Sequence, residues 1–208
     1  MEVGALDGSR FSNTYAFYAS PDLGWKGINV EVDPVSYEKL SINRKNDIAN
    51  INAAVCSDPQ VIHYAQGKFQ AVGGIWEFSS NEQRVRWWPG MTLADTTPVE
   101  CTHLQNIVDQ TLGESSFIDF MTLDIEGAEL SALQGLDFSK VGFGVIVIER
   151  QAHGSYGEGM DQAIEKLLKK AGYDRVKDDA RVCRHRENWI VNRNAKGVCE
   201  AGKETRIA

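Results

Sequence analysis

The sequence predicts an α/β fold: a mostly parallel sheet flanked by helices, with an antiparallel hairpin near the C-terminus. Three observations point to it. Stretches that read as strands alternate along the chain with stretches that read as helices. The strongest strands, residues 117–125 and 141–149, are continuous apolar runs, as expected of strands covered on both faces. A glycine turn follows the tail of a strand at the very start.

Taken in order, residues 1–3 are the end of a strand and Gly4-Ala5-Leu6-Asp7-Gly8-Ser9 is a tight turn. Residues 12–18 read as a helix with Ser12 at its N-cap. Residues 27–32 alternate as a strand up to Asp33-Pro34, and Pro34 suits the first turn of a helix running to about residue 46. Residues 51–56 read as a third strand. The signal is mixed over residues 57–101, where 61–64 and 84–88 are short strand candidates around a loop bearing Gly73, Gly74, Ser79 and Ser80. That stretch exceeds an ordinary connection, so it is expected to be an inserted hairpin or a substrate-side loop. Residues 102–112 form a helix with Leu104, Ile107, Val108 and Leu112 on one face. Residues 128–136 and 161–171 are further helices, and 181–183 with 188–192 form the terminal hairpin. Residues 1–194 are expected to make one domain, with a polar tail over 195–208.

Of the 208 residues 42% are hydrophobic and 25% charged, which is ordinary for a globular chain with its own core. The net charge of −7 counts against nucleic acid as a partner. One basic stretch, Arg175, Lys177, Arg181, Arg184, His185 and Arg186, is interleaved with Asp174, Asp178, Asp179 and Glu187 and reads as a solvated face. Cys56, Cys101, Cys183 and Cys199 form no CxxC pair, which suits a reducing compartment. No apolar run approaches a membrane span and the start does not resemble a signal peptide, so a cytoplasmic location is expected.

Several predicted strand ends carry acids: Glu31, Asp124 with Glu126, and Glu149. In a parallel sheet these converge on one edge, where ligands bind. The turn reads GxxxG rather than the GxGxxG of dinucleotide sites, is preceded by Glu2 and contains Asp7. Negative groups there suit a ligand with an amino group and a sulfonium, and would repel a diphosphate. Glu31 stands about 20 residues beyond the turn, where a carboxylate accepts both ribose hydroxyls in a Rossmann-like site. An alcohol acceptor must lose a proton, and Asp124 is the first choice of base, with Glu126, His103 and His153 as alternatives. Glu129 is expected on a helix surface. Asp124, Glu126 and Glu149 are oxygen donors of the kind Mg²⁺ takes, yet their spacing demands no ion, and no metal is assigned. Trp87-Trp88, if in a strand, point to opposite faces, so that one could stack on a sugar or apolar acceptor.

The ordered set Val3-Gly4-Ala5-Leu6-Asp7-Gly8-Ser9, Ser12-Asn13-Thr14, Val30-Glu31-Val32-Asp33-Pro34, Asn52-Ala53-Ala54-Val55 and Leu123-Asp124-Ile125-Glu126-Gly127-Ala128-Glu129-Leu130 resembles the FkbM family of methyltransferases over roughly residues 2–150. The resemblance implies a seven-stranded, Rossmann-like methyltransferase sheet and S-adenosylmethionine as methyl donor. The acceptor it implies is a hydroxyl on a small molecule, sugar or glycan. It also implies that Gly4, Asp7 and Gly8, with Glu2 before them, line the methionine part of the cofactor, and that Ser12 and Asn13 sit near its carboxylate. Glu31 would hold the ribose, with Val32 beneath the adenine, Ala54 near the adenine edge, and Asp124 facing the cofactor. Two other readings stay open: an NAD(P)-dependent Rossmann oxidoreductase, against which the missing middle glycine counts, and a non-catalytic cofactor-binding module.

Overall fold

A computed structural model describes residues 1–149, 154–176 and 187–192. Strand β1 (Glu2–Val3) leads through the glycine turn to α1 (Tyr15–Tyr18), β2 (Ile28–Glu31) and α2 (Pro34–Asn43). Next come β3 (Ala49–Asn52), β4 (Ala54–Val55), β5 (Val61–Ala65), β6 (Gly74–Ile75), α3 (Asn81–Trp87) and β7 (Thr97–Thr102). The second half runs α4 (Leu104–Leu112), β8 (Ser116–Leu123), α5 (Glu129–Gln134), β9 (Val141–Glu149), α6 (Gly154–Lys170), β10 (Tyr173–Arg175) and β11 (Glu187–Asn192).

One sheet has the order β10-β11-β9-β8-β1-β2-β3. The five strands from β9 to β3 are mutually parallel, and β11 runs antiparallel to both its neighbours. This is the Rossmann-like sheet expected from the sequence. Chain order reverses between β1 and β8: β1, β2 and β3 step outward one way, β8 and β9 the other. Such a switch point opens a crevice beyond the carboxyl ends of the strands.

The core explains why the central strands are apolar throughout. Ile118, Met121 and Leu123 of β8 and Phe143, Ile146 and Ile148 of β9 are buried with Leu104, Ile107 and Val108 of α4 and Ile164 and Leu168 of α6. The spacing read for α4 is the face it buries. Asp33 caps α2 by accepting from the Ser36 amide at 3.0 Å, and Pro34 opens the helix.

Several sequence expectations need correction. Residues 51–56 are not one strand: β3 ends the main sheet, whereas β4 joins a second sheet of order β4-β7-β5-β6. Residues 84–88 lie mostly in α3, because Ser80 caps the preceding turn (Gln83 amide to Ser80 Oγ, 3.1 Å) and supplies a helix start that the aromatic pair obscured. Trp88 is then buried, with its indole donating to the Val72 carbonyl, rather than one of a strand pair. Thr14, not Ser12, holds the N-cap of α1. The strand that pairs with β11 is β10, and residues 181–183 lie outside the described residues. Cys56 and Cys101 form a disulfide, which persists in oxidising surroundings and removes the cysteine argument for a reducing compartment. Among the described residues no helix is long and apolar enough to cross a membrane.

Candidate functional site

The crevice at the switch point is a cleft of about 760 Å³, counting its open mouth. One wall is the β1 turn and the end of β2 (Gly4, Leu6, Glu31, Val32), and the opposite wall is the segment after β8 (Asp124, Ile125, Glu126, Ala128). The second sheet closes the remaining side with Tyr64, Gly73, Gly74 and Ile75. Among the described residues, three non-glycines have left-handed backbone: Leu6 (φ 50°), Phe11 (φ 64°) and Glu126 (φ 56°). All three line this cleft. Strain of this kind is kept where the surroundings hold a functional geometry.

Glu31 is held from behind. Its Oε2 accepts from the Leu6 amide at 2.8 Å and its Oε1 from the Asp33 amide at 2.8 Å. Burial pushes its pKa up to about 7, against the pull of backbone donors at Asp33, Leu6 and Val32. Gly4 has φ +86°, and a Cβ there would overlap the carbonyl oxygen of Asp124. Only glycine lets β1 come this close to the end of β8 while leaving bare backbone toward the cleft.

Asp124, Glu126 and Glu149, at the ends of β8 and β9, bring carboxylate oxygens within 4.8 Å of one another. Burial raises the pKa of all three. The negative charges of Asp124 and Glu129 add to burial in lifting Glu126 to about 8, and those of Asp124, Glu126 and Glu129 add to it in lifting Glu149 to about 10. Three like charges this close do not all ionise; shared protons or a divalent cation would neutralise them. Gln83 of α3, itself buried, steadies one member: its Nε2 donates to the Glu126 carbonyl at 2.8 Å and to Glu126 Oε2 at 3.0 Å. Glu129 is no surface residue, as it is fully buried and accepts from the Ile125 and Gly127 amides, closing the turn that carries Glu126.

Of the sequence-predicted residues, Gly4, Glu31, Val32, Ala54, Asp124 and Glu126 line the cleft. Glu2, Asp7, Gly8, Ser12, Asn13 and His103 do not, and in most of these cases the physical reason is visible. The Glu2 carboxylate is turned under the loop, where it accepts from Ser12 Oγ, the Asn13 amide and Thr14 Oγ1 at 2.6–2.7 Å, with Arg44 at 3.6 Å. Asp7 folds back on its own loop, accepting from the Ser9 and Arg10 amides. Gly8 is small for packing, since a Cβ there would meet Leu40 and Arg44 of the α2 segment. His103 sits at the N-cap of α4. His153 and basic residues 177, 181, 184, 185 and 186 lie outside the described residues. Sequence reasoning missed Tyr64, Gln83 and the strained Leu6 and Phe11 as contributors. The Gly73-Gly74 pair was a usable signal for a close approach, whereas nothing in the identity of Gln83 announces its partner 43 residues away.

The chain matches the family described as "Methyltransferase FkbM domain" over residues 2–175. No curated protein and no solved structure matches it.

Proposed function

The chain belongs to the FkbM methyltransferase family, and from that premise we propose that it uses S-adenosylmethionine to methylate a hydroxyl on a small molecule, sugar or glycan. The observation that carries this reading is Glu31: a carboxylate pinned by backbone donors at the switch point and lining the cleft. That arrangement suits the two ribose hydroxyls of a nucleoside. Val32 and Ala54 supply apolar surface beside it, and Gly4 leaves room for the chain leading away from the ribose. The bound donor would supply a methyl group on a cationic sulfonium, and an ionised carboxylate at the end of β8 gives the cleft a matching negative charge. Asp124 takes the proton that the acceptor hydroxyl gives up, because it faces the cleft and its raised pKa brings its proton affinity closer to that of a working base. Residues 1–194 act as one domain in this reading, with 57–101 contributing a wall of the cleft.

Calorimetry with S-adenosylmethionine and S-adenosylhomocysteine tests the reading. Both should bind, and Glu31→Ala should weaken binding by about 1–3 kcal/mol, the usual cost of losing charge-assisted hydrogen bonds. Undiminished affinity removes Glu31 from the site, and no binding by the parent chain ends the proposal. Once screening supplies an acceptor, Asp124→Asn should lower kcat far more than cofactor affinity; equal turnover removes Asp124 as the base.

A further inference from the structure

The second sheet contributes more than cover. Tyr64, on β5, is only 5% exposed and lines the cleft, yet its hydroxyl has no hydrogen-bond partner among the described residues. A hydroxyl in that state keeps its donor and acceptor capacity for whatever occupies the cleft. Tyr64 packs in a small core with Ala54 and Ile75, with Val32 against it, and Gln70 also lines the cleft. Gly73 stands opposite, where a Cβ would collide with the Tyr64 hydroxyl. A largely apolar slot with a few polar groups at its margin suits a flat heterocycle with hydrogen bonds to make.

We infer that Tyr64 is a specificity-determining residue whose hydroxyl donates a hydrogen bond to a ring nitrogen of a purine base, seated between the main and second sheets. The position follows from Glu31. A nucleoside with its ribose there has two directions open to it: one end meets the carboxylates Asp124 and Glu126, the other Val32, Ala54 and Tyr64. An uncharged aromatic base belongs with the apolar group. Burial, with the negative charges of Asp33 and Glu31 nearby, pushes the Tyr64 pKa well upward, so its hydroxyl stays protonated and acts as a donor. The inference rests on the nucleoside reading of Glu31 and adds the element that reads the base.

The test compares the parent chain with Tyr64→Phe, using S-adenosylhomocysteine and its 1-deaza, 3-deaza and 7-deaza analogues in calorimetry. Removing the hydroxyl should weaken S-adenosylhomocysteine about fivefold to tenfold. One deaza analogue, the one lacking the contacted nitrogen, should bind both proteins equally. The ligand-free melting temperature should be unchanged or higher, because the hydroxyl has no partner to lose in the protein. Equal affinity of both proteins for S-adenosylhomocysteine overturns the inference while leaving the function intact. A loss of the same size with every deaza analogue places the hydroxyl on the sugar and also overturns it. If the parent chain binds none of these ligands, the functional reading has failed and takes the inference with it.

Discussion

Two acidic regions, one buried and one half-buried, lie close together around the end of β1, and they differ in how many donors reach them. Beneath the loop, Glu2 is 1% exposed and takes hydrogen bonds from Ser12, Asn13 and Thr14 with a guanidinium beside it. At the strand ends, Asp124, Glu126 and Glu149 face one another, and Glu149 Oε2 is buried with no partner. The first carboxylate is saturated, so it is part of the architecture. The second group has proton- or cation-accepting capacity left over, so it is available for chemistry. The supply of donors, more than the depth of burial, separates the two.

That contrast breaks most visibly at Gly4, which joins the two regions. Gly4→Ala should destabilise the protein by on the order of 4 kcal/mol or more, since the new methyl has both a left-handed backbone and the Asp124 carbonyl against it. Denaturant unfolding measures this, and a variant as stable as the parent would mean that β1 is not pinned to the end of β8.

Glu2→Ala comes next. It leaves three donors without their acceptor, while Arg44 keeps Asp47 at 2.7 Å, at a cost of about 1–3 kcal/mol. The folded fraction should keep its affinity for S-adenosylhomocysteine, because Glu2 does not line the cleft. Full stability with lost binding would reverse the roles of the two regions.

The third comparison is with pH. Glu126 and Glu149 have folded pKa values raised to about 8 and about 10 from the ordinary value of 4.5. Their protonated forms favour the fold. The stabilisation is therefore complete below the unfolded value and is lost as pH rises through the folded ones. The melting temperature should fall between about pH 6 and pH 9, and Glu149→Gln should flatten the decline. A melting temperature that rises over this range in the parent chain would show the strand-end acids to be ionised and otherwise compensated.

Sequence and structure agree best where the pattern is local or periodic. The apolar runs of β8 and β9, the spacing of α4 and the Asp33-Pro34 start of α2 were all legible, because each is a property of neighbours along the chain. Convergence of the strand-end acids was legible once a parallel sheet was expected. The structure adds most where one residue has two possible partners. Glu2 reads as a ligand residue from its place before the turn, but Ser12, Asn13, Thr14 and Arg44 claim it. Gly8 reads as a cradle for a ligand, but it is small to admit α2.

By itself the sequence determined the layered α/β architecture, the bare turn at Gly4, and the carboxylates Glu31 and Asp124 at one sheet edge. Hydrophobic periodicity and turn chemistry act over a few residues, so they can be read in a line. Only the tertiary structure decided which acids are satisfied, that Gln83 supports Glu126, and that Tyr64 brings an unpaired hydroxyl to the cleft. Those outcomes depend on which donor reaches which acceptor after distant segments pack, and hydrogen bonding at about 3 Å is settled by three-dimensional proximity rather than order along the chain.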